Sequence, residues 1–255
     1  MKRLLILPMI ALCACFGFTI RKGPDIPTTL TVQAVGFDLV TFTIRALTKV
    51  RNSIPARRAQ LHPIPCGTET CYSLDEVRDA IAKIRRDAKA AFPKEALASQ
   101  ITMDDELARA TNHLAVLRRT PAIQLVRNAP GNSGHLVSAQ EVDATFDRAG
   151  RPIDTYLAHG NNLNPTLHII SEPDGAAFRM LIGTNEKTAQ TTTTTNDLKS
   201  VWRGRYTGAV SKRGYRDPAA FEINLFDSDD TFVRCRLVPN SAPDNDVSIC
   251  RLVKD

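Results

Sequence analysis

The sequence predicts an α+β fold in which an N-terminal helical pair precedes an antiparallel β-meander, arranged as a barrel or a sandwich. Two patterns support this prediction. Apolar residues recur at steps of three and four between residues 74 and 117, whereas short apolar segments separated by turn residues follow residue 128. Hydrophobic residues make up 43% and charged residues 24% of the chain, which excludes a wholly disordered chain, a collagen-like repeat and a polytopic membrane protein.

The chain begins with a pattern typical of an export signal. Met1-Lys2-Arg3 is cationic, and an apolar run over residues 4–12 follows it directly. We therefore predict that residues 1–14 are a signal peptide and not a helix of the mature fold. Ordinary signal cleavage and an uncleaved anchor remain alternatives, although the run is short for a membrane span.

The end of this run, Leu12-Cys13-Ala14-Cys15, resembles a bacterial lipobox, in which an aliphatic residue and a small residue precede the cysteine that receives the lipid. The resemblance implies that Cys15 is lipidated and that residues 15–27 form a lipidated tether. It implies a periplasmic, membrane-anchored lipoprotein of a Gram-negative bacterium. Phe16 after this cysteine implies sorting to the outer rather than the inner membrane.

Four cysteines remain in the body of the chain, and an even number is typical of a disulfide-bonded exported protein. Pairing Cys66 with Cys71 and Cys235 with Cys250 closes the shortest loops of the three possible connectivities. The alternative, a zinc site with His62 and Cys66, lacks the tight spacing of zinc-binding motifs. We predict two disulfides, with no metal site and no cofactor.

Residues 28–128 are predicted to form a mainly helical portion. Residues 28–50 fit both a strand pattern and a helix pattern, so that their structure stays open. Three prolines in residues 52–71 predict an irregular loop closed by its cysteines.

Two helices are predicted within this portion. Ser73 and Glu76 fit a capping box at the start of the first helix, which Pro93 ends. The second helix is predicted over residues 104–118 with Thr102 as its cap. Because the connection between them is short, we expect an antiparallel pair.

Residues 129–255 are predicted to form an antiparallel β domain. Residues 142–157 and 167–182 each read as a hairpin around a turn rich in Asp and Gly. The threonine-rich residues 191–195 are typical of an exposed edge strand, with a mobile loop as the alternative. Further strands are predicted at residues 201–210, 221–226, 232–238 and 247–252.

One segment carries a catalytic resemblance. Pro130-Gly131-Asn132-Ser133-Gly134-His135 resembles the nucleophile loop of chymotrypsin-like proteases. The resemblance implies Ser133 as the nucleophile and Gly131 as an oxyanion donor, and His62 is the upstream candidate for the general base. The same residues are also typical of a plain turn.

Basic residues are concentrated after residue 198. Six lie between Lys199 and Arg216 before the first acidic residue, and a strand there would place Arg203 and Arg205 on one face. We predict a cationic surface for an anionic lipid, a polysaccharide or an acidic protein, and no nucleic acid, because no stacking platform accompanies the charge. A solvated face is the alternative. The proposed binding residues are Arg203, Arg205, Lys212, Arg213, Arg78 and Arg85.

Taken together, the sequence predicts an envelope lipoprotein that binds a protein partner, as an inhibitor, an immunity protein or an assembly factor. This function needs no catalytic residue. An envelope serine hydrolase that uses Ser133 and a structural lipoprotein that binds anionic envelope material are the alternatives.

Overall fold

The computed structural model describes residues 29–117, 135–159, 165–182, 187–194, 197–198 and 201–253. Over these ranges the chain combines helices with several antiparallel strand pairs, and the predicted α+β class is confirmed. None of the helices in the described ranges combines the length and the apolar character that crossing a membrane requires. The helices are α1 (Thr29–Ala59), α2 (Leu74–Ala90), α3 (Leu97–Thr111), α4 (His113–Leu117) and α5 (Ala139–Ala158).

Helix α1 resolves the ambiguous N-terminal pattern in favour of a helix. It continues through Pro55, since Leu47, Val50 and Ile54 are buried at steps of three and four residues. The irregular conformation predicted for residues 52–71 is therefore wrong, although Cys66 and Cys71 do pair within this segment. Its first part is helical, and its second part forms a tight hairpin with Gly67 at φ 71° in the turn.

Helix α2 begins where the sequence predicts, but the predicted capping box does not form. The Ser73 side chain accepts no capping hydrogen bond. Glu76 instead accepts from the backbone N–H of His62 at 3.1 Å and contacts its ring Nδ1 at 3.1 Å. The carboxylate thus ties the start of α2 to the chain that precedes the hairpin. The buried face of α2 consists of Leu74, Val77, Ile81, Ile84 and Ala88, as the sequence predicts.

The second predicted helix starts earlier than residue 104 and is interrupted. Helix α3 already begins at Leu97, and α4 follows after a break at Asn112. Thr102 is not a cap, because it lies inside α3 with 3% of its surface exposed. Its hydroxyl oxygen accepts a hydrogen bond from the backbone N–H of Arg205 at 2.8 Å. A residue type common at caps therefore serves a tertiary contact here.

The hairpin predicted for residues 142–157 is wrong, because this segment is the 20-residue helix α5. Ser138 caps it by accepting from the backbone N–H of Glu141 at 3.3 Å. Val142, Phe146 and Ile153 are buried at helical spacing. The helical part therefore extends beyond the predicted boundary at residue 128.

The strands form three sheets. A short sheet has the order β1-β2-β3, and two four-stranded sheets have the orders β11-β10-β4-β7 and β6-β5-β8-β9. The bounds are β1 (Ile64–Cys66), β2 (Glu69–Ser73), β3 (Leu136–Ser138), β4 (Thr166–Glu172), β5 (Ala177–Ile182), β6 (Lys187–Thr193), β7 (Asp197–Leu198), β8 (Arg205–Ser211), β9 (Phe221–Asn224), β10 (Asp230–Arg236) and β11 (Ile249–Val253).

The two larger sheets are sandwich-like and do not close into a barrel over the described residues. The predicted hairpin over residues 167–182 is wrong in its pairing: β4 and β5 form, but they belong to different sheets. In addition, β4 pairs with β10 in parallel, so the sheet is not a simple meander. The threonine-rich strand β6 lies at a sheet edge, which agrees with its predicted position.

Two hydrophobic clusters form the core. One joins the helices and includes Leu47, Ile84 and Tyr156, and the other lies between the two larger sheets. Each cluster also contains a residue from the other part of the chain. Phe226, which follows β9, belongs to the helical cluster, and Ala98 of α3 belongs to the sheet cluster. The helices and the sheets are thus packed into each other.

Candidate functional site

The structure removes one residue from the predicted basic surface. Arg203 is 1% exposed, and its guanidinium donates to the Ser228 carbonyl at 3.0 Å and forms an ion pair with Asp229. The prediction that Arg203 faces solvent is therefore wrong. Strand β8 starts only at Arg205, so the alternation of faces does not extend back to residue 203.

Arg205 lies on the half-exposed side of β8, opposite the buried Tyr206, as the alternation predicts. It is not a free surface cation. Its guanidinium forms an ion pair with Glu106 of α3, and its Nε lies 3.5 Å from Glu222 of β9. Arg205 therefore connects the helical part to the sheet.

The other four predicted basic residues lie in two separate places. Lys212 and Arg213 follow β8, where the Lys212 ammonium donates to the Asp174 carbonyl at 2.5 Å. Arg78 and Arg85 lie on α2 and line a shallow pocket of about 270 Å³ against α3 and α4. No hydrogen bond or ion pair among the described residues joins the two pairs into the single surface that the sequence predicts.

The predicted disulfides are confirmed. Cys66 pairs with Cys71 across the β1-β2 hairpin, with a Cα–Cα distance of 5.8 Å. Cys235 and Cys250 lie directly opposite each other on β10 and β11, with a Cα–Cα distance of 4.0 Å.

The catalytic and lipidation predictions stay untested. Cys15, Gly131 and Ser133 lie outside the described residues. His62 is described, with a highly exposed side chain paired to Glu76 at 3.1 Å. The described part of the chain holds no cluster of three or more His, Cys, Asp or Glu side chains placed to bind a metal ion.

The sequence did not indicate the surface with the most exposed apolar residues. Of the seven large hydrophobic side chains exposed among the described residues, five belong to the sheet β11-β10-β4-β7 or lie just before its edge strand β11. Three of them, Ile170, Ile249 and Val253, share the outer side of this sheet, whereas Leu252 pairs with the buried Val233 and Val247 precedes β11. Monomeric proteins usually expose such residues singly. The five are Ile170, Val247, Ile249, Leu252 and Val253.

Strand register defines the solvent-facing side of this sheet. Successive residues alternate between faces, so every second residue of β4, β10 and β11 points away from the core. These residues align in three rows across the strands. We call them the outer sheet face: His168, Phe232 and Val253 in one row, Ile170, Arg234 and Arg251 in the next, and Glu172, Arg236 and Ile249 in the third.

The outer sheet face mixes apolar and cationic groups. Ile170 is 43% exposed, and the rings of His168 and Phe232 stack with centroids 4.2 Å apart. Arg234 and Arg251 are exposed neighbours across the β10-β11 pair. Arginine beside aromatic and aliphatic side chains is typical of protein interfaces.

A second feature is a cleft of about 860 Å³ between the helices and the start of β8. Glu106, Glu141 and Asp227 line it together with His113 and Phe226. We call it the arginine cleft after four of its lining residues: Arg109 of α3, Arg148 and Arg151 of α5, and Arg205 of β8.

His113 lies in this cleft between opposite charges. Its Nε2 is 2.9 Å from the Thr145 hydroxyl and 3.1 Å from the Glu141 carboxylate. Burial and the nearby Arg148 lower the pKa of His113, and Glu141 opposes this effect. The lowered pKa favours the neutral imidazole, so we assign the positive charge of the cleft to its arginines.

Comparison of the chain with models of protein families, with curated proteins and with solved structures gives no match. The evidence for the candidate sites is therefore their geometry and chemistry.

Proposed function

We propose that the chain is a lipid-anchored protein of the bacterial envelope that works by binding a protein partner. The observation that carries the proposal is the outer sheet face, where exposed aliphatic residues and arginines form a continuous surface across three strands. The two disulfides agree with an oxidising compartment. The anchor itself rests on the lipobox resemblance at Cys15.

The charges of this surface favour an acidic partner. Its three arginines exceed the carboxylate of Glu172 and the neighbouring Asp230, so we expect a partner with acidic as well as apolar side chains. Strand β11 is the edge of the sheet and pairs only with β10 among the described strands. Its backbone offers hydrogen bonds to an added strand, the usual way in which an extended segment binds a sheet.

The test starts with a photocrosslinking residue at Ile249 in envelope preparations, and a second at Ala209 on the other sheet as a control. Any protein captured only from Ile249 is then purified and its affinity measured directly. We expect Arg234→Glu with Arg251→Glu to weaken binding by about tenfold or more, because like charges would then face each other. Arg179→Glu with Arg213→Glu is the matched control, since both arginines are exposed elsewhere.

Unchanged affinity in the Arg234→Glu and Arg251→Glu variant would contradict the proposal. Binding of the wild type to protein-free vesicles of anionic phospholipid, with loss in the same variant, would favour the structural lipoprotein instead. The anchor is tested separately by palmitate labelling of Cys15→Ala, where an unlabelled variant beside a labelled wild type supports lipidation.

A further inference from the structure

We propose that the arginine cleft binds a small anion that carries phosphate or carboxylate groups. The cleft is formed by helices α3, α4 and α5 with the start of β8, and it shares no residue with the outer sheet face. The proposal therefore goes beyond the binding of a protein partner and can fail or succeed independently of it.

The first argument is the charge of the lining. Four arginines face three carboxylates, and the two glutamates are shared. Glu106 pairs with both Arg109 and Arg205, and Glu141 pairs with both Arg148 and His113. Glu106 is therefore shared by two arginines, whereas Glu141 has Arg148 as its arginine partner.

Arg151 contributes charge that the structure does not balance. It is exposed and forms no ion pair with a residue in the described ranges. It lies three positions after Arg148 on α5, and this spacing places both side chains on the same side of the helix. Two guanidinium groups on one side of a helix suit an anion with several oxygen atoms, since each planar guanidinium can donate to two of them.

The second argument concerns Arg205. Its Nη1 atom is buried and has no hydrogen-bond acceptor among the described residues. Its Nε is also buried without a hydrogen bond, although the Glu222 carboxylate lies 3.5 Å away. Buried donors of this kind are costly, and native structures usually satisfy them with water or an ion. A bound anion near Arg205 would satisfy donors that Glu106 leaves unpaired.

The volume and lining of the cleft limit the size of the ligand. Its volume of about 860 Å³ falls in the range of small-molecule sites. Phe226, Pro152 and Val116 give it an apolar wall beside the arginines. The ligand we expect is therefore a small molecule with an anionic group and not an extended acidic chain.

The experiment is isothermal titration calorimetry of the purified full chain with pyrophosphate and, separately, with citrate at low ionic strength. We expect saturable binding of at least one of them with a Kd below about 1 mM. Arg109→Gln with Arg151→Gln should weaken it by about tenfold or more. Both side chains are exposed, so this variant should keep the fold, which circular dichroism checks.

Arg86→Gln with Arg213→Gln is the matched control, because it removes two exposed arginines outside the cleft. The control should bind like the wild type. Preference for pyrophosphate would assign a phosphate ligand, and preference for citrate a carboxylate ligand. The proposal is overturned if the wild type binds neither probe, or if both double variants lose affinity equally.

Discussion

Gly204 lies directly against Ala98 of helix α3. A Cβ atom at Gly204 would stand 2.8 Å from the carbonyl carbon of Ala98, closer than two such atoms can approach. A hydrogen bond between the adjacent residues stabilises the same contact, because the Ser99 hydroxyl donates to the Arg203 carbonyl. This contact fixes α3 to the start of β8 and positions Arg205 in the arginine cleft.

Gly204→Ala should therefore destabilise the protein by about 2 kcal/mol or more, because the atoms that must move are backbone atoms of α3. Urea denaturation measures the loss. Gly150→Ala in α5 is the control, since the new methyl group would meet only the end of the Arg51 side chain, at 3.1 Å. Alanine is the better helix former, so we expect no loss there. Equal destabilisation of both variants would contradict the contact.

Arg203→Met should lower stability by about 2–3 kcal/mol, because it leaves the Ser228 carbonyl and Asp229 without their buried partner. Thermal denaturation followed by circular dichroism measures the change. Arg213→Met, at an exposed position after β8, should change the stability by less than about 0.5 kcal/mol. A stable Arg203→Met protein would show that this arginine has no structural role.

Removal of the two disulfides should have unequal effects. The Cys235–Cys250 bridge spans 15 residues and the Cys66–Cys71 bridge spans 5. Loop-closure entropy then predicts a loss of about 3 kcal/mol for the paired alanine variant of the longer loop and about 2 kcal/mol for the shorter. Guanidinium titrations of the two double variants test the order. A larger loss for Cys66→Ala with Cys71→Ala would contradict it.

Alkaline pH should weaken the fold through Tyr156. Burial raises the pKa of its phenol to about 12, against opposing effects of Ser99 and Arg203. In the unfolded chain the phenol ionises near its ordinary pKa of 10.0. The folded state therefore keeps its full stability below pH 10 and loses stability as pH rises toward 12, because ionisation then favours unfolding.

Between pH 8 and 10.5 the free energy of unfolding should fall by about 1 kcal/mol less in Tyr156→Phe than in the wild type. Urea denaturation at both pH values measures this difference. Part of the loss should remain, because burial also raises the pKa of Tyr206. Identical pH dependence in the wild type and the variant would contradict the assignment to Tyr156.

Ser133→Ala should leave partner binding unchanged if the chain acts by binding, because binding needs no activated nucleophile. A fluorophosphonate probe that labels activated serines supplies the measurement. Labelling of the wild type that disappears in Ser133→Ala would favour the hydrolase. Ser241→Ala, at an exposed serine, is the matched control.

Local sequence patterns predicted individual helices and strands better than they predicted which strands pair. Helix α2 begins where its apolar spacing predicts, and the cysteine pairs follow from loop length. Strands β4 and β10 are visible in the sequence, but their parallel pairing is not, since they are separated by more than fifty residues and share no local signal.

The α5 segment shows why part of the site was missed. Val142-Asp143-Ala144-Thr145-Phe146 alternates like a strand, and Asp147 and Gly150 nearby resemble a turn. The competing signal was the spacing of Val142, Phe146 and Ile153 together with Ser138 as a cap. A helix with this spacing places Arg148 and Arg151 on one face. Their approach to Arg205 depends on tertiary packing, which no local pattern contains.

The exchange of Ala98 and Phe226 between the two hydrophobic clusters has a consequence for cooperativity. If the chain were cut between the helices and the sheets, the sheet fragment would expose Phe226 to water and lack Ala98. The helical fragment would lack Phe226 and keep a gap in its place. Neither piece would keep a complete interior. The described body should therefore melt in one transition, and limited proteolysis should degrade it without releasing a stable half.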